Sequence, residues 1–126
     1  MDKLLKIFLI EDSPRLREQL IECLQEVNGI TVIGHAEDEQ TAILGLQTCV
    51  ADLAIVDLEL KSGTGVGVLQ ALREDPERFH NVAPVVLTTY SHPRIFQRCM
   101  ELGVHAFFDK AMQIDDLISF VEQARR

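Results

Sequence analysis

The sequence predicts an α/β fold: a five-stranded parallel sheet covered by helices on both faces. Three observations point there. Five short apolar runs alternate with five segments of helical periodicity. The first run is apolar almost without interruption, the pattern of a strand buried on both faces. Helix-starting and helix-stopping residues fall between the runs. The chain has 126 residues, so residues 1–126 are expected to form one domain, long enough to bury a core without disulfides or metals.

The first strand is expected at residues 4–10. Ser13 and Pro14 then start a helix, as a cap and a residue with preset φ. Leu16, Leu20, Cys23, Leu24 and Val27 give that helix its apolar face, and Asn28-Gly29 ends it. Residues 30–36 form the second strand, and Asp38 caps a helix running to about Gln47. The third strand, 53–56, ends at Asp57. A glycine-rich loop, 62–67, expected to be mobile, leads into a helix that ends near Asp75-Pro76. The fourth strand lies within 82–87. Pro93 opens the next helix, Gly103 closes it, and 104–108 is a short fifth strand. The last helix starts near Ile114, with Asp115 and Asp116 in its first turn and Arg125 and Arg126 in its last, as the helix dipole favours. Right-handed crossovers leave few topologies for this order. The expected one is the flavodoxin-like (βα)5 three-layer sandwich with strand order 2-1-3-4-5.

Composition narrows the function classes. The apolar fraction is 47% and the charged fraction 25%, the balance of a globular protein. The net charge of −8 argues against direct contact with nucleic acid or an anionic membrane. Cys23, Cys49 and Cys99 are widely spaced with no CxxC, so they read as reduced, mostly buried residues of a cytoplasmic protein. The apolar N-terminal run, with Lys3 before it, stops at Glu11 and Asp12 without a small-residue cleavage site, so it reads as a strand rather than a signal peptide.

The polar residues gather at strand ends. Glu11 and Asp12 follow the first strand, Asp57 ends the third, Thr88 ends the fourth and Lys110 follows the fifth. In the expected order the first and third strands are neighbours, roughly 5 Å apart. Three carboxylates in one pocket need a compensating cation, and hard oxygen donors suit Mg²⁺ or Mn²⁺. A divalent ion together with Lys110 balances the three negative charges. An Asp carboxylate beside such a centre is a nucleophile for phosphoryl transfer. Taken singly, each residue has an ordinary alternative: Asp12 or Ser13 as a helix cap, Asp57 as a turn residue, Thr88 as a strand end, Lys110 as a solvated lysine, Phe107 as partial core. Their joint placement is what argues for a site.

With these residues the chain resembles the receiver domains of two-component response regulators, the CheY-like family. The matching features are Glu11-Asp12, Asp57, Gly65, Thr88, Lys110 and the aromatic Phe107, and the resemblance covers residues 4 to about 124. It implies a switch that accepts a phosphoryl group on Asp57 from a histidine kinase or phosphotransfer protein. It implies Mg²⁺ held by Asp12, Asp57 and the Glu59 backbone carbonyl, with Glu11 acting through water or from behind. Lys110 would pair with Asp57 and then with the phosphoryl group, while Thr88 and Phe107 would relay the change. A downstream protein, an output domain or a second protomer in a homodimer would read the face made by the fourth helix, fifth strand and fifth helix. Self-catalysed transfer and dephosphorylation, without turnover of an external metabolite, would follow.

Three residues depart from the family pattern. Lys61 and Ala111 stand where proline is common, which implies a less rigid turn after Asp57 and a trans bond after Lys110. Glu59 puts a carboxylate two residues past Asp57, where it is expected to hinder or reposition the water that attacks an aspartyl phosphate. Other classes fit less well. A metal-dependent phosphohydrolase with an Asp nucleophile wants a DxD on the first strand and a substrate cap. A flavin-binding module wants a Ser/Thr/Gly phosphate cradle where this chain has acidic residues. A degenerate receiver serving only as a scaffold would not need the intact acids and Lys110. Gly63, Gly65 and Gly67 follow the wrong strand for a dinucleotide motif, and His35, His80, His92 and His105 lack metal-ligand spacing.

Overall fold

The computed structural model describes residues 4–90 and 92–125. Lys3 and Arg126, which entered the sequence reading, lie outside the described residues. The strands are β1 (Leu5–Ile10), β2 (Ile30–Ala36), β3 (Leu53–Val56), β4 (Ala83–Thr88) and β5 (Ala106–Asp109). The helices are α1 (Pro14–Gln25), α2 (Glu39–Thr48), α3 (Gly65–Glu74), α4 (Pro93–Glu101) and α5 (Ile114–Arg125). All pairings are parallel, in the order β2-β1-β3-β4-β5. This is the doubly wound arrangement expected from the sequence.

Two-residue alternation divides the strands between two cores. Ile7, Leu9, Ile55, Val85 and Leu87 face α1 and α5, packing with Leu20, Leu24, Leu117 and Val121. Phe8, Ile10, Ala54, Val56 and Val86 face the other side with Leu46, Val68, Leu69 and Cys99 of α2, α3 and α4. Because both faces are covered, both sets of alternating residues are apolar, hence the uninterrupted runs.

Helix starts follow the caps. Ser13 Oγ accepts from Leu16 N, Asp38 Oδ1 from Thr41 N, and Thr64 Oγ1 from Gly67 N. The structure corrects four expectations. α3 begins inside the glycine-rich stretch, at Gly65, so that stretch is not a free loop. Strand β4 ends at Thr88 as expected, whereas β5 starts at Ala106 rather than Val104, because Val104 N bonds to Cys99 O and finishes the turn after α4. A 3₁₀ turn, Pro76–Phe79, follows α3 and buries Phe79. Cys23 is exposed and Cys49 half-buried, leaving Cys99 as the buried cysteine; Leu20 and Leu24 alone carry the fully buried face of α1. No peptide bond among the described residues is cis, in keeping with Ala111 after Lys110.

Candidate phosphorylation site

Sheet register builds the site. Ile10 pairs with Val56, and Asp57 N donates to Ile10 O at 3.0 Å. The residues just past both strands, Glu11 and Asp57, therefore emerge side by side at the carboxyl edge, where open α/β sheets hold their ligands. On the other flank Thr88 pairs with Asp109, and Lys110 N donates to Thr88 O at 3.0 Å. That bond fixes where the Lys110 side chain starts on its way back across the edge.

Lys110 Nζ lies 2.7 Å from Asp57 Oδ2 and 2.7 Å from Glu11 Oε1. Glu11, Asp12 and Asp57 each offer a carboxylate oxygen, all within 4.8 Å of one another. Glu11 is 1% exposed, Asp57 3% and Thr88 0%. Glu11 Oε2 accepts from Ser13 N at 3.1 Å, and Asp57 Oδ1 from Glu59 N at 3.2 Å. Among the described residues no buried side-chain nitrogen or oxygen lacks a partner.

Burial pushes Glu11 up to about 7, against which the Lys110 and Ser13 hydrogen bonds pull it down, while the nearby Asp57 charge raises it further. Burial would by itself lower Lys110. The hydrogen bonds to Asp57 and Glu11, and their charges, outweigh it and raise Lys110 above its ordinary value. The ammonium is thus held charged between two acids. An all-oxygen donor set this close together fits a hard divalent cation, and Asp12, half-buried at the rim, completes it from the solvent side.

The side chains of the other expected residues have neighbours outside the acid cluster. Thr88 Oγ1 accepts from Tyr90 N at 3.1 Å. Phe107 is half-buried, with its ring edge-on to Phe96 of α4 at 5.3 Å between centroids. Glu59 is exposed and lines a cavity of about 320 Å³ with Leu58, Thr64, Val66, Tyr90 and Ile95. A larger cavity, about 590 Å³, is lined by α1 and α5 residues such as Cys23, Ile118 and Arg125 and touches none of the three acids.

Sequence reasoning missed the supports. Arg17, one turn into α1, donates to Glu11 O at 3.0 Å and lies 3.9 Å from Glu37. Lys61, in place of the family's usual proline, pairs with the same Glu37 at 3.3 Å, and its N–H donates to Glu37 O. The turn after Asp57 is therefore tied down by hydrogen bonds rather than by a ring. Nothing in the sequence marks Glu37 as a partner, since only the β2-β1-β3 order brings it there. A basic residue in the turn after an acidic pair was the one available signal for Arg17.

A doubly wound sheet with an acid cluster and a facing lysine at its carboxyl edge defines a phosphoryl-accepting signalling class of protein. The family model described as Response regulator receiver domain matches residues 7–122. The chain belongs to the receiver domain family of two-component response regulators, whose members are signalling domains that interact with kinases. It is 29% identical over 120 residues to the transcriptional regulatory protein PdtaR of Mycobacterium tuberculosis, covering 94% of this chain and 56% of that protein. It is 27% identical over 118 residues to the nitrate/nitrite response regulator NarL of Escherichia coli, covering 94% and 53%. The chain thus spans about half the length of these curated relatives. The signal receiver domain of a response regulator termed NarL from Mycobacterium tuberculosis superposes with a TM-score of 0.86 at 19% identity, covering 98% of this chain and 97% of that one. The response regulator domain of Thermotoga maritima CheB gives 0.83 at 15%, covering 98% and 95%. At these identities the structures speak for the fold. The pocket of Glu11, Asp12 and Asp57 fits the phosphorylation site of such a domain. No described helix is long and apolar enough to cross a membrane.

Proposed function

We propose that residues 1–126 act as a phosphorylation-dependent receiver in which Asp57 is the acceptor. The observation that carries the reading is the buried Asp57 carboxylate held 2.7 Å from Lys110 Nζ and beside two further acids.

In the reaction an Asp57 carboxylate oxygen attacks the donor phosphorus. An O–P bond forms as the bond from phosphorus to the leaving group breaks, and the leaving group departs with that electron pair. Lys110, charged and already at Asp57, shifts from the carboxylate to the arriving phosphoryl oxygens. Thr88 turns its hydroxyl from the Tyr90 N–H toward the same oxygens and donates to one of them. That movement frees space for Phe107, which turns inward and withdraws its edge from Phe96, so the exposed face of α4 changes. Asp12 and Asp57, with the Glu59 backbone carbonyl, would hold Mg²⁺ or Mn²⁺, and Glu11 would support it from behind. When bound, the ion supplies positive charge that offsets the charge of the transferring oxygens. Release of phosphate by water returns the carboxylate, so the domain catalyses its own cycle and turns over no other substrate.

The partners proposed are a histidine kinase or phosphotransfer protein upstream, and an output domain, downstream protein or second copy of the chain at the face of α4, β5 and α5. The surrounding compartment is the cytoplasm. The net charge of −8 disfavours nucleic-acid contact by these 126 residues themselves. One structural neighbour, RcsB of Salmonella, is solved on promoter DNA with a phosphomimetic, so any DNA contact is proposed for an output domain rather than for the receiver itself.

The test is direct. Acetyl phosphate and Mg²⁺ should add the mass of one phosphoryl group to the wild type and none to Asp57→Asn. Equal uptake by both, or uptake by neither, defeats the assignment.

A further inference from the structure

The segment after Asp57 runs out through Leu58 and Glu59, turns, and comes back through Thr64 and Gly65. The two arms are joined: Glu59 and Thr64 form an isolated antiparallel bridge, and Gly65 N donates to Leu58 O at 2.9 Å. The outgoing arm touches the site, through the Glu59 N–H on Asp57 Oδ1. The returning arm is held by a different element. Glu39, in the first turn of α2, accepts from Thr64 N through Oε1 at 2.9 Å, and its own N–H donates to Ser62 O at 3.0 Å.

The glycines are fitted to this carboxylate. A Cβ on Gly63 would lie 2.8 Å from Glu39 Oε1, and Gly63 has φ +73°, a conformation side chains disfavour. A Cβ on Gly67 would lie 2.6 Å from Glu39 Oε2 and closer still to Oε1. The carboxylate accepts from the N–H of Thr64, the N-cap of α3, at the helix end where a negative charge is favoured. Gly63 and Gly67 are therefore the space into which Glu39 fits.

We infer that Glu39 is a positioning residue for the phosphoryl-accepting site, a latch from α2 that fixes the Glu59 backbone beside Asp57 by clamping the returning arm of its loop. This rests on the receiver reading above and adds a residue to it. Lys61 and Glu37 hold the tip of the same loop. Glu39 holds the returning arm, which is bridged to the arm at the site, and with the Lys61–Glu37 pair it does what ring rigidity would do at residue 61.

Two measurements test it at a temperature well below unfolding: the rate of phosphoryl uptake from acetyl phosphate, and Mg²⁺ affinity by calorimetry without a donor. Glu39→Ala should slow uptake about tenfold and weaken Mg²⁺ binding, as loss of a charge-assisted hydrogen bond that orders the site predicts. Glu39→Gln keeps an acceptor for Thr64 N–H and should retain most of both. Gly67→Ala leaves residue 39 in place but displaces its carboxylate, and should match Glu39→Ala. Wild-type rate and Mg²⁺ affinity in Glu39→Ala overturn the latch. Should that variant fail to fold, the same wild-type values in Gly67→Ala overturn it. The two readings fail separately: uptake by Asp57→Asn defeats the receiver assignment, whereas variants that match a wild type labelled on Asp57 defeat the latch alone. If no form takes up phosphate, the Mg²⁺ affinities still decide the latch.

Discussion

Replacing Gly65 by alanine should damage stability and phosphoryl transfer together. An ideal Cβ at residue 65 would sit 2.7 Å from Leu58 Cα and 2.9 Å from the Asp57 carbonyl carbon, and nearer still to the carbonyl oxygen. Comfortable carbon–carbon contact begins at about 3.5 Å, so the two segments must part by roughly 1 Å. The obstruction is backbone on both sides, so no side chain can swing away. Alanine is the better helix former by about 1 kcal/mol. Overpacking against a fixed backbone costs about 1–3 kcal/mol, so the clash wins or at best cancels. At an unfolding entropy of about 2.1 cal/mol/K per residue, each kcal/mol is worth about 4 °C for a chain this size, so Tm should fall by up to about 8 °C. The larger effect is chemical. A 1 Å displacement of the backbone carrying Asp57 breaks the 2.7 Å contact with Lys110, and misplacement of that size costs about 10²-fold in rate. Thermal unfolding and acetyl phosphate labelling of the same preparation measure both. A Gly65→Ala protein that labels at the wild-type rate would refute the claim that this glycine is required by close approach to the acceptor strand.

Other predictions concern separate parts of the molecule. Glu11 has a folded-state pKa of about 7 against 4.5 for the free group, so the native state binds more protons between those values. Its contribution to stability is therefore full at low pH and is lost as pH rises through the window from 4.5 to about 7. In chelator, urea midpoints of the wild type should carry a falling component across that window which Glu11→Gln lacks; coincident profiles would count against a buried, proton-binding Glu11. Cys23 is exposed while burial raises the Cys99 thiol, so a thiol reagent followed by peptide mass analysis should label Cys23 first and Cys99 only on unfolding. Comparable native labelling of the two would contradict the packing of α4. Glu59 stands exposed at the rim of the site, so Glu59→Ala and Glu59→Asn should change the lifetime of the aspartyl phosphate. An unchanged dephosphorylation rate in both removes Glu59 from control of the attacking water.

Much of the fold was legible because it rests on local rules. Burial on both faces makes β3 apolar throughout and β1 apolar but for the exposed Lys6, and a strand of that kind is readable without its neighbours. Ser13 and Asp38 cap helices through bonds to residues three positions on, so their signals lie within one turn of sequence. The boundaries that moved did so for non-local reasons. β5 starts at Ala106 because its first partner on β4 is Val85, and the 3₁₀ turn at Pro76 buries Phe79 in the core on the α2, α3 and α4 side.

The sequence alone determined that Glu11, Asp12, Asp57, Thr88 and Lys110 stand at strand ends, since a residue's place along a strand follows from apolar pattern and turn chemistry near it. Only the tertiary structure decided what those residues touch. The two bonds of Lys110 span 53 and 99 positions, and the links from Glu37 and Glu39 to the loop after Asp57 depend on β2, β1 and β3 lying in that spatial order. Distances between distant residues are fixed by packing both cores at once, and no local pattern in the chain encodes them.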